Sequence, residues 1–571
     1  MKEGDIQVNP FAASGHVTMA DVLEQIVDDD GLPVQRRRNI CSSIRTFARL
    51  LNRDLTTMPA HPGFYRGMFN RLHPQQCGVS KKRLQNVKSD VLFSLRHIGL
   101  GGGRRTYLAP LSEKWQRLFD ATDDRQIKYR LSRFMRFCSN SGISPEDVTD
   151  DVTSDFLAAL TEESFVKSPQ KIHGAVCRRW NHAVKAVNGW PDIRLAIPKR
   201  RKTYTLAWAS FPVSFQKDAD DWLDHLRGND ILSEEEFVRP LRTASIKSRR
   251  FSVLQLASAL VHQGHDIGEI KSLAFLVSMD HAREALRFFL DRSGDRPTSQ
   301  IHGLAYILKL LAEKWVKVTP EHVAQLKELC RRLNPGNRGL TDKNKIRLRQ
   351  FDDPDNQALL LDFPRRQLEE VQRSSKKPRH RALKVQMALA VELLLMTPIR
   401  IGNLASLDIE RHFQWARAGR NRGVHLVIPA REVKNQEDIE FELPEETVRL
   451  LRTYLEGYRP ILVDGPNPFL CPSRGGRHKR GAALSTQIKE HVRDATGLVV
   501  NAHLFRHITA KLYLDANPGG YEVVRRVLGH RSMDTTINFY TGLETAAAAR
   551  HFDDQILKLR HELAGGGNGD R

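Results

Sequence analysis

Residues Asn501 to Tyr540 read NAHLFRHITAKLYLDANPGGYEVVRRVLGHRSMDTTINFY. His503 and Arg506 are three apart at a predicted helix start, so they share one face of it. Val523, Val524, Val527 and Leu528 form the apolar face of a second helix. Gly529 ends that helix in a backbone conformation that costs a glycine nothing, and His530 then projects from its C-terminus. Thr535 and Thr536 open a polar stretch that leads to Tyr540. His507 makes an HxxxH spacing with His503, but the Glu of a metalloprotease HExxH is missing and no third ligand is evident, so no metal is expected.

Upstream, ALKVQMALAVELLLM (382–396) is apolar nearly all round and reads as a buried helix. Pro398 stops it, and Arg400 follows in TPIRIGNLASL. A cation just beyond a buried helix must face a cleft or be paired, because burying it alone costs too much. Two strand-like runs, Val424 to Pro429 and Ile439 to Leu443, flank AREVKNQED, with Lys434 at its middle. FLCPS (469–473) reads as a third strand. The following SRGGRHKRGAALS is a Gly-rich basic loop without GxxxxGK[ST], so no nucleotide-binding loop is predicted.

The whole chain has 571 residues, too many for one ordinary core. Its 89 Lys and Arg against 67 Asp and Glu leave +22, a balance that favours a polyanionic partner, nucleic acid first. Six Cys lie singly with no CxxC pair, which suggests neither a zinc ribbon nor a disulfide framework. The beginning of the chain lacks a cationic-then-apolar signal pattern, and no run of about 18 apolar residues occurs. These readings point to a cytoplasmic, nucleoid-associated protein with no membrane contact.

The first 340 residues read as helical and repetitive. RRNICSSIRTFARLL near Arg37, KYRLSRFMRFCSNSGI near Lys128 and RRFSVLQLASALVHQGH near Arg249 each begin basic, continue as an amphipathic helix and end in a polar or Gly-containing turn. SPQKIHG (168–174) resembles TSQIHG (298–303), each opening a further helix. The expected division is a helical module over residues 1–105, a second over 106–205, a third over 206–340 and a catalytic domain over 341–571. IPKRRKTY (197–204) is a basic connector suited to a solvated linker or to DNA phosphates. The expected fold is therefore mainly α, with a small antiparallel β-sheet in the C-terminal domain and tandem helical DNA-binding modules before it.

Two Arg forks can hold the non-bridging oxygens of one phosphodiester, and phosphoryl transfer needs mainly positioning and charge neutralisation. A Tyr hydroxyl attacks well when a nearby His takes its proton, and a Lys can protonate a departing alcohol.

On the motifs TPIRIGNLASL, HLFRHITA and LGHRSMDTTINFY, in that order and with a strand pair between the first two, residues 345–555 resemble the catalytic domain of the tyrosine recombinases, the phage integrase family. The modules before it resemble the helical DNA-clamping domain of that family, in more than one copy. The resemblance implies a site-specific DNA recombinase or integrase that breaks and rejoins DNA through a 3′-phosphotyrosyl intermediate, without cofactor or metal. It implies that Arg400 and Arg506 clamp the scissile phosphate and that Lys434 is general acid toward the 5′-hydroxyl. His503 assists as acid and base, His530 hydrogen-bonds the phosphate or positions the nucleophile, and Tyr540 is the nucleophile. Lys479, in the basic loop, competes with Lys434. Many members carry an acidic residue three places after the first Arg; this chain has Asn403. The implied partner is double-stranded DNA, held by a homo-tetramer on two sites or together with sister recombinases. A type IB topoisomerase and a catalytically idle DNA-binding protein are the competing readings.

Overall fold

A computed structural model describes residues 17–100, 110–198, 204–228, 240–336, 339–415, 423–530, 532–540 and 552–561, without the side chains of Asn70, Thr535 and Asn538. Most of the basic connector IPKRRKTY, Arg531, residues 541–551 and the tail from 562 lie outside the described residues. The chain forms two compact units, residues 1–198 with 339–571, and residues 199–338. The fold is mainly α with one three-stranded antiparallel sheet. Among the described residues no helix is long and apolar enough to cross a membrane.

Four apolar clusters organise the described residues, with buried members spanning 19–95, 115–195, 211–333 and 340–508. The first three are built around helices α1 (Val34–Leu51), α2 (Arg125–Asn140) and α4 (Thr243–His262); α3 (Pro169–Ala186) packs beside α2. These three leading helices repeat one register. Cys41, Leu131 and Val253 are buried at one position, Ile44, Phe134 and Leu256 three residues later, and Ala48, Cys138 and Leu260 four residues after that. Each helix ends on a left-handed residue, Asn52, Gly142 or Gly264, which lets the next amide return to the helix: Arg53 to Ala48, Ile143 to Cys138 and His265 to Leu260. A 3-10 turn follows each time, Leu55–Thr57, Pro145–Asp147 and Ile267–Glu269. Then a buried apolar residue comes: Met58, Val148 or Ile270.

In the C-terminal cluster the helix read from its apolar run is α5 (Pro378–Met396), buried continuously from Val385 to Leu395. It carries two buried polar groups, each satisfied: Gln386 donates to the Tyr454 hydroxyl at 2.7 Å, and Glu392 accepts from Thr447 at 2.6 Å. After Pro398 the chain turns at Arg400 into α6 (Ile401–Ser406). The sheet has order β1 (Phe413–Trp415), β2 (Val424–Ile428), β3 (Ile439–Glu442), all antiparallel. Val424, Leu426 and Ile428 alternate inward.

One expectation is corrected. Residues 469–473 are not a strand of this sheet; they make only isolated bridges, Asp408 with Phe469 and Pro472 with His478. Pro472 has no N–H to donate to a ladder, and the Leu470 amide is bonded to the Leu407 carbonyl instead. The third strand is Phe413–Trp415.

The stretch quoted first folds as α7 (Leu504–Ala516), α8 (Tyr521–Leu528) and α9 (Met533–Tyr540). Gly529 is left-handed, at φ +58°. Only Val524 and Leu528 of the expected apolar face of α8 are buried; Val523 and Val527 are exposed.

Candidate active site

Arg506 is the pivot. It lies in the first turn of α7 with 5% of its surface exposed, and its guanidinium donates to the carbonyls of Pro398 and Leu528. Those carbonyls stand two residues before Arg400 and two before His530, so one side chain ties three sequence-distant pieces together. Burial, and then the charge of Arg400, lower its pKa to about 10; it stays protonated at neutral pH.

Around the α8 terminus three successive carbonyls are taken by three side chains. Arg506 takes Leu528, Asn435 of the β2–β3 connection takes Gly529, and Arg525 takes His530 at 3.1 Å. The His530 imidazole is fixed through Nδ1 to the Thr536 hydroxyl at 3.0 Å. Burial, and then Arg506 and Arg400, depress its pKa to about 4. His530 is therefore neutral at physiological pH.

Arg400 is half-buried, and burial lowers its pKa. It has no hydrogen bond or ion pair among the described residues. Lys434 is exposed in the β2–β3 connection. Its neighbours are held: Glu432 by Arg411 and by His412 at 3.1 Å, and Asn435 by Gly529. His503 is the N-cap residue of α7 with an exposed edge. Desolvation, then Arg506, Arg400 and Lys434 in that order, depress its pKa. Lys434 thus belongs to the electrostatic set of Arg400, Arg506 and His503. Lys479 does not: its ammonium donates to Gln386 and, at 2.9 Å, to Gln487, and the charged neighbours acting on it are Cys471 and Arg379. Asn403, the departure noted in the sequence, is buried on α6.

Tyr540 closes the constellation from inside. Its side chain is fully buried, and its hydroxyl is 2.8 Å from Nδ1 of His507. His507 is itself buried and is depressed to about 3 by burial and then by His503, Arg506 and His530. A neutral imidazole therefore accepts the phenolic hydrogen. Burial raises the Tyr540 pKa, against the pull of Arg506. The ring sits in a small cluster with Ala510, Leu514, Val524 and Leu528. A phenolic oxygen without solvent contact has no room beside it for a phosphate, so the described conformation is a withdrawn one.

His507 and Asn435 went unassigned in the sequence. His507 had one signal, its place four residues after His503, which puts the two rings on one side of α7, 5.3 Å apart. Asn435 had none, since its partner lies 94 residues away. Among the described residues no cluster of His, Cys, Asp or Glu is arranged to hold a metal ion.

Residues 364–546 match the family model described as Phage integrase family. This segment of the chain is a phage integrase family domain. No curated protein sequence matches the chain. Among solved structures, the chain is similar to XerA recombinase at 17% identity over 59% of this chain and 96% of that one, TM-score 0.24. It is similar to a lambda integrase dimer bound to a COC′ core site at 14% identity over 66% and 89%, TM-score 0.34. For XerH site-specific recombinase bound to difH substrate the identity is 14% over 60% and 94%, TM-score 0.29. At TM-scores this low these are partial likenesses, and the assignment rests on the family match.

Proposed function

We propose that this recombinase cuts and rejoins duplex DNA at specific sites, using Tyr540 as nucleophile and the Arg400–Arg506 pair as the phosphate clamp. One observation carries the reading. The charges acting on Arg506, His503 and His530 are all cationic, apart from the Tyr540 hydroxyl beside Arg506. Gathering cations without a carboxylate is costly unless an anion is the intended occupant, and a Tyr hydroxyl borders the same set.

In the proposed reaction the scissile phosphate enters between Arg400 and Arg506, whose forks offset the charge of the transition state. Tyr540 leaves His507 and its oxygen attacks phosphorus. The P–O5′ bond breaks, and the 5′-oxygen leaves with a proton from Lys434. The phenolic proton passes to a neutral imidazole of the site, the part assigned to His503, while His530 donates to a phosphate oxygen. Attack by a 5′-hydroxyl of another strand reverses the chemistry, releases Tyr540 and joins new ends. No step calls on a cofactor.

The modules over residues 1–105, 106–205 and 206–340 serve in this reading as DNA-holding units, and residues 341–571 as the catalytic domain. Four protomers on two DNA sites, or this chain with sister recombinases, complete the assembly on the DNA of the cell. A plasmid with two copies of the site tests the reading. Exchange between the sites without ATP or metal supports it; relaxation of supercoils without exchange assigns the chain to the topoisomerase reading instead.

A further inference from the structure

The main chain around His530 is held so that only rotation about its side-chain bonds is left to the ring. The His530 amide donates to the Arg525 carbonyl at 2.9 Å, and the Arg525 guanidinium returns to the His530 carbonyl at 3.1 Å. Arg525 is itself aligned by both oxygens of Glu522, at 2.7 and 2.8 Å. The remaining rotation is stopped by the hydroxyl of Thr536, 3.0 Å from Nδ1. Thr536 is fully buried, and the proposed reaction gives it no step.

His530 is neutral, so one ring nitrogen carries a hydrogen and the other a lone pair. The partner of Nδ1 decides which is which. A carbonyl or a carboxylate there could only accept; it would hold the hydrogen on Nδ1 and leave Nε2 a lone pair, which an anion repels. A hydroxyl can donate. With the Thr536 hydrogen directed at Nδ1, the ring hydrogen sits on Nε2, the nitrogen left for a phosphate oxygen. A phosphate between Arg400 and Arg506 favours that form.

Thr536 has a second relation. Tyr540 follows it by four residues on α9, so the two side chains share one face of that helix, and both are fully buried. The Tyr540 hydroxyl meets Nδ1 of His507 at 2.8 Å, as the Thr536 hydroxyl meets Nδ1 of His530. Two imidazoles therefore pin α9, and attack by Tyr540 requires the release of one pin only. The other refers the nucleophile's helix to the histidine assigned to the phosphate.

We propose that Thr536 is a positioning residue for the cleavage reaction: its hydroxyl donates to Nδ1 of His530, keeps the ring hydrogen on Nε2 for a phosphate oxygen, and anchors the nucleophile's helix to that histidine while Tyr540 moves. The proposal rests on the reading of His530 and Tyr540 as parts of a recombinase site. Thr536 acts only through His530.

The test is single-turnover cleavage of a nicked duplex by the full chain, beside duplex affinity and melting temperature. Thr536→Val keeps the shape and removes the hydroxyl; cleavage falls about tenfold or more while duplex affinity stays within about twofold. Thr536→Ser, which keeps the hydroxyl, stays within about threefold of the wild-type rate. In a His530→Ala background Thr536→Val costs no further rate, because no ring is left to orient. Thr536→Ala enters the same comparisons should the valine variant not fold. A wild-type rate without the hydroxyl overturns the proposal. So does a loss that multiplies with that of His530→Ala, which makes Thr536 a packing residue. A wild-type chain that forms no Tyr540 adduct ends the recombinase reading and this proposal with it; a wild-type adduct with an unaffected Thr536→Val ends this proposal alone.

Discussion

The hydroxyl of Tyr540 lies 2.8 Å from Nδ1 of His507, with both side chains buried. The bond satisfies a hydroxyl that has no water to turn to. His507→Ala leaves it without an acceptor, at a cost of about 1–3 kcal/mol of stability. Tyr540→Phe removes the need for the acceptor. The two changes together therefore cost less than their sum, by about 1 kcal/mol. Additive losses in chemical unfolding of the two single variants and the double variant would show that the pair does not interact.

The arginine clamp is also a structural tie. Arg506→Ala frees the carbonyls of Pro398 and Leu528 and removes half of the proposed phosphate clamp. Cleavage falls by about a thousandfold or more, while duplex affinity stays within about tenfold, because many other cations meet phosphates. Single-turnover cleavage beside a binding titration checks both. Cleavage at the unaltered rate would remove Arg506 from the chemistry.

Asn435 is expected to matter through Lys434. With Glu432 it holds the connection on both sides of that lysine, and its partner, Gly529, adjoins His530. Asn435→Ala slows cleavage about tenfold or more on ordinary DNA. A substrate with sulfur in place of the leaving 5′-oxygen needs little protonation, so the variant recovers on it, as does Lys434→Ala. Recovery of Lys434→Ala alone assigns the loss at Asn435 to another cause; recovery of neither removes the general-acid role from Lys434.

The pH dependence of stability follows from the buried imidazoles. His507 is held at about 3 and His530 at about 4, against an ordinary 6.5 in the unfolded chain. Between these limits the unfolded state binds more protons, so stability rises with pH through the window and is lost as pH falls through it. The melting temperature is expected to fall on acidification from about pH 7 to about pH 5, and His507→Gln flattens the curve. An equally steep curve in that variant would contradict the assignment.

Much of the site was legible because its residues stand in short local patterns: Arg506 three after His503, His530 behind a helix-ending glycine, Arg400 behind the proline that stops a buried helix. The core of α5 was legible from an unbroken apolar run. What escaped depends on long-range pairing. Phe413–Trp415 is too short to announce a strand until β2 lies beside it, whereas residues 469–473 open with a strand-like apolar run but spend their amides on loops. His507 read as one half of an HxxxH because its partner, Tyr540, is brought up only by the turn at Gly529. The withdrawn state of Tyr540 is a property of packing and has no local signature.

The most direct measurement is covalent trapping on nicked DNA whose short leaving strand diffuses away, with the wild-type chain and Tyr540→Phe side by side. A denaturant-stable adduct, mapped to the Tyr540 peptide and absent from Tyr540→Phe, is the predicted result. An adduct that persists in Tyr540→Phe, or maps to another residue, would contradict the account.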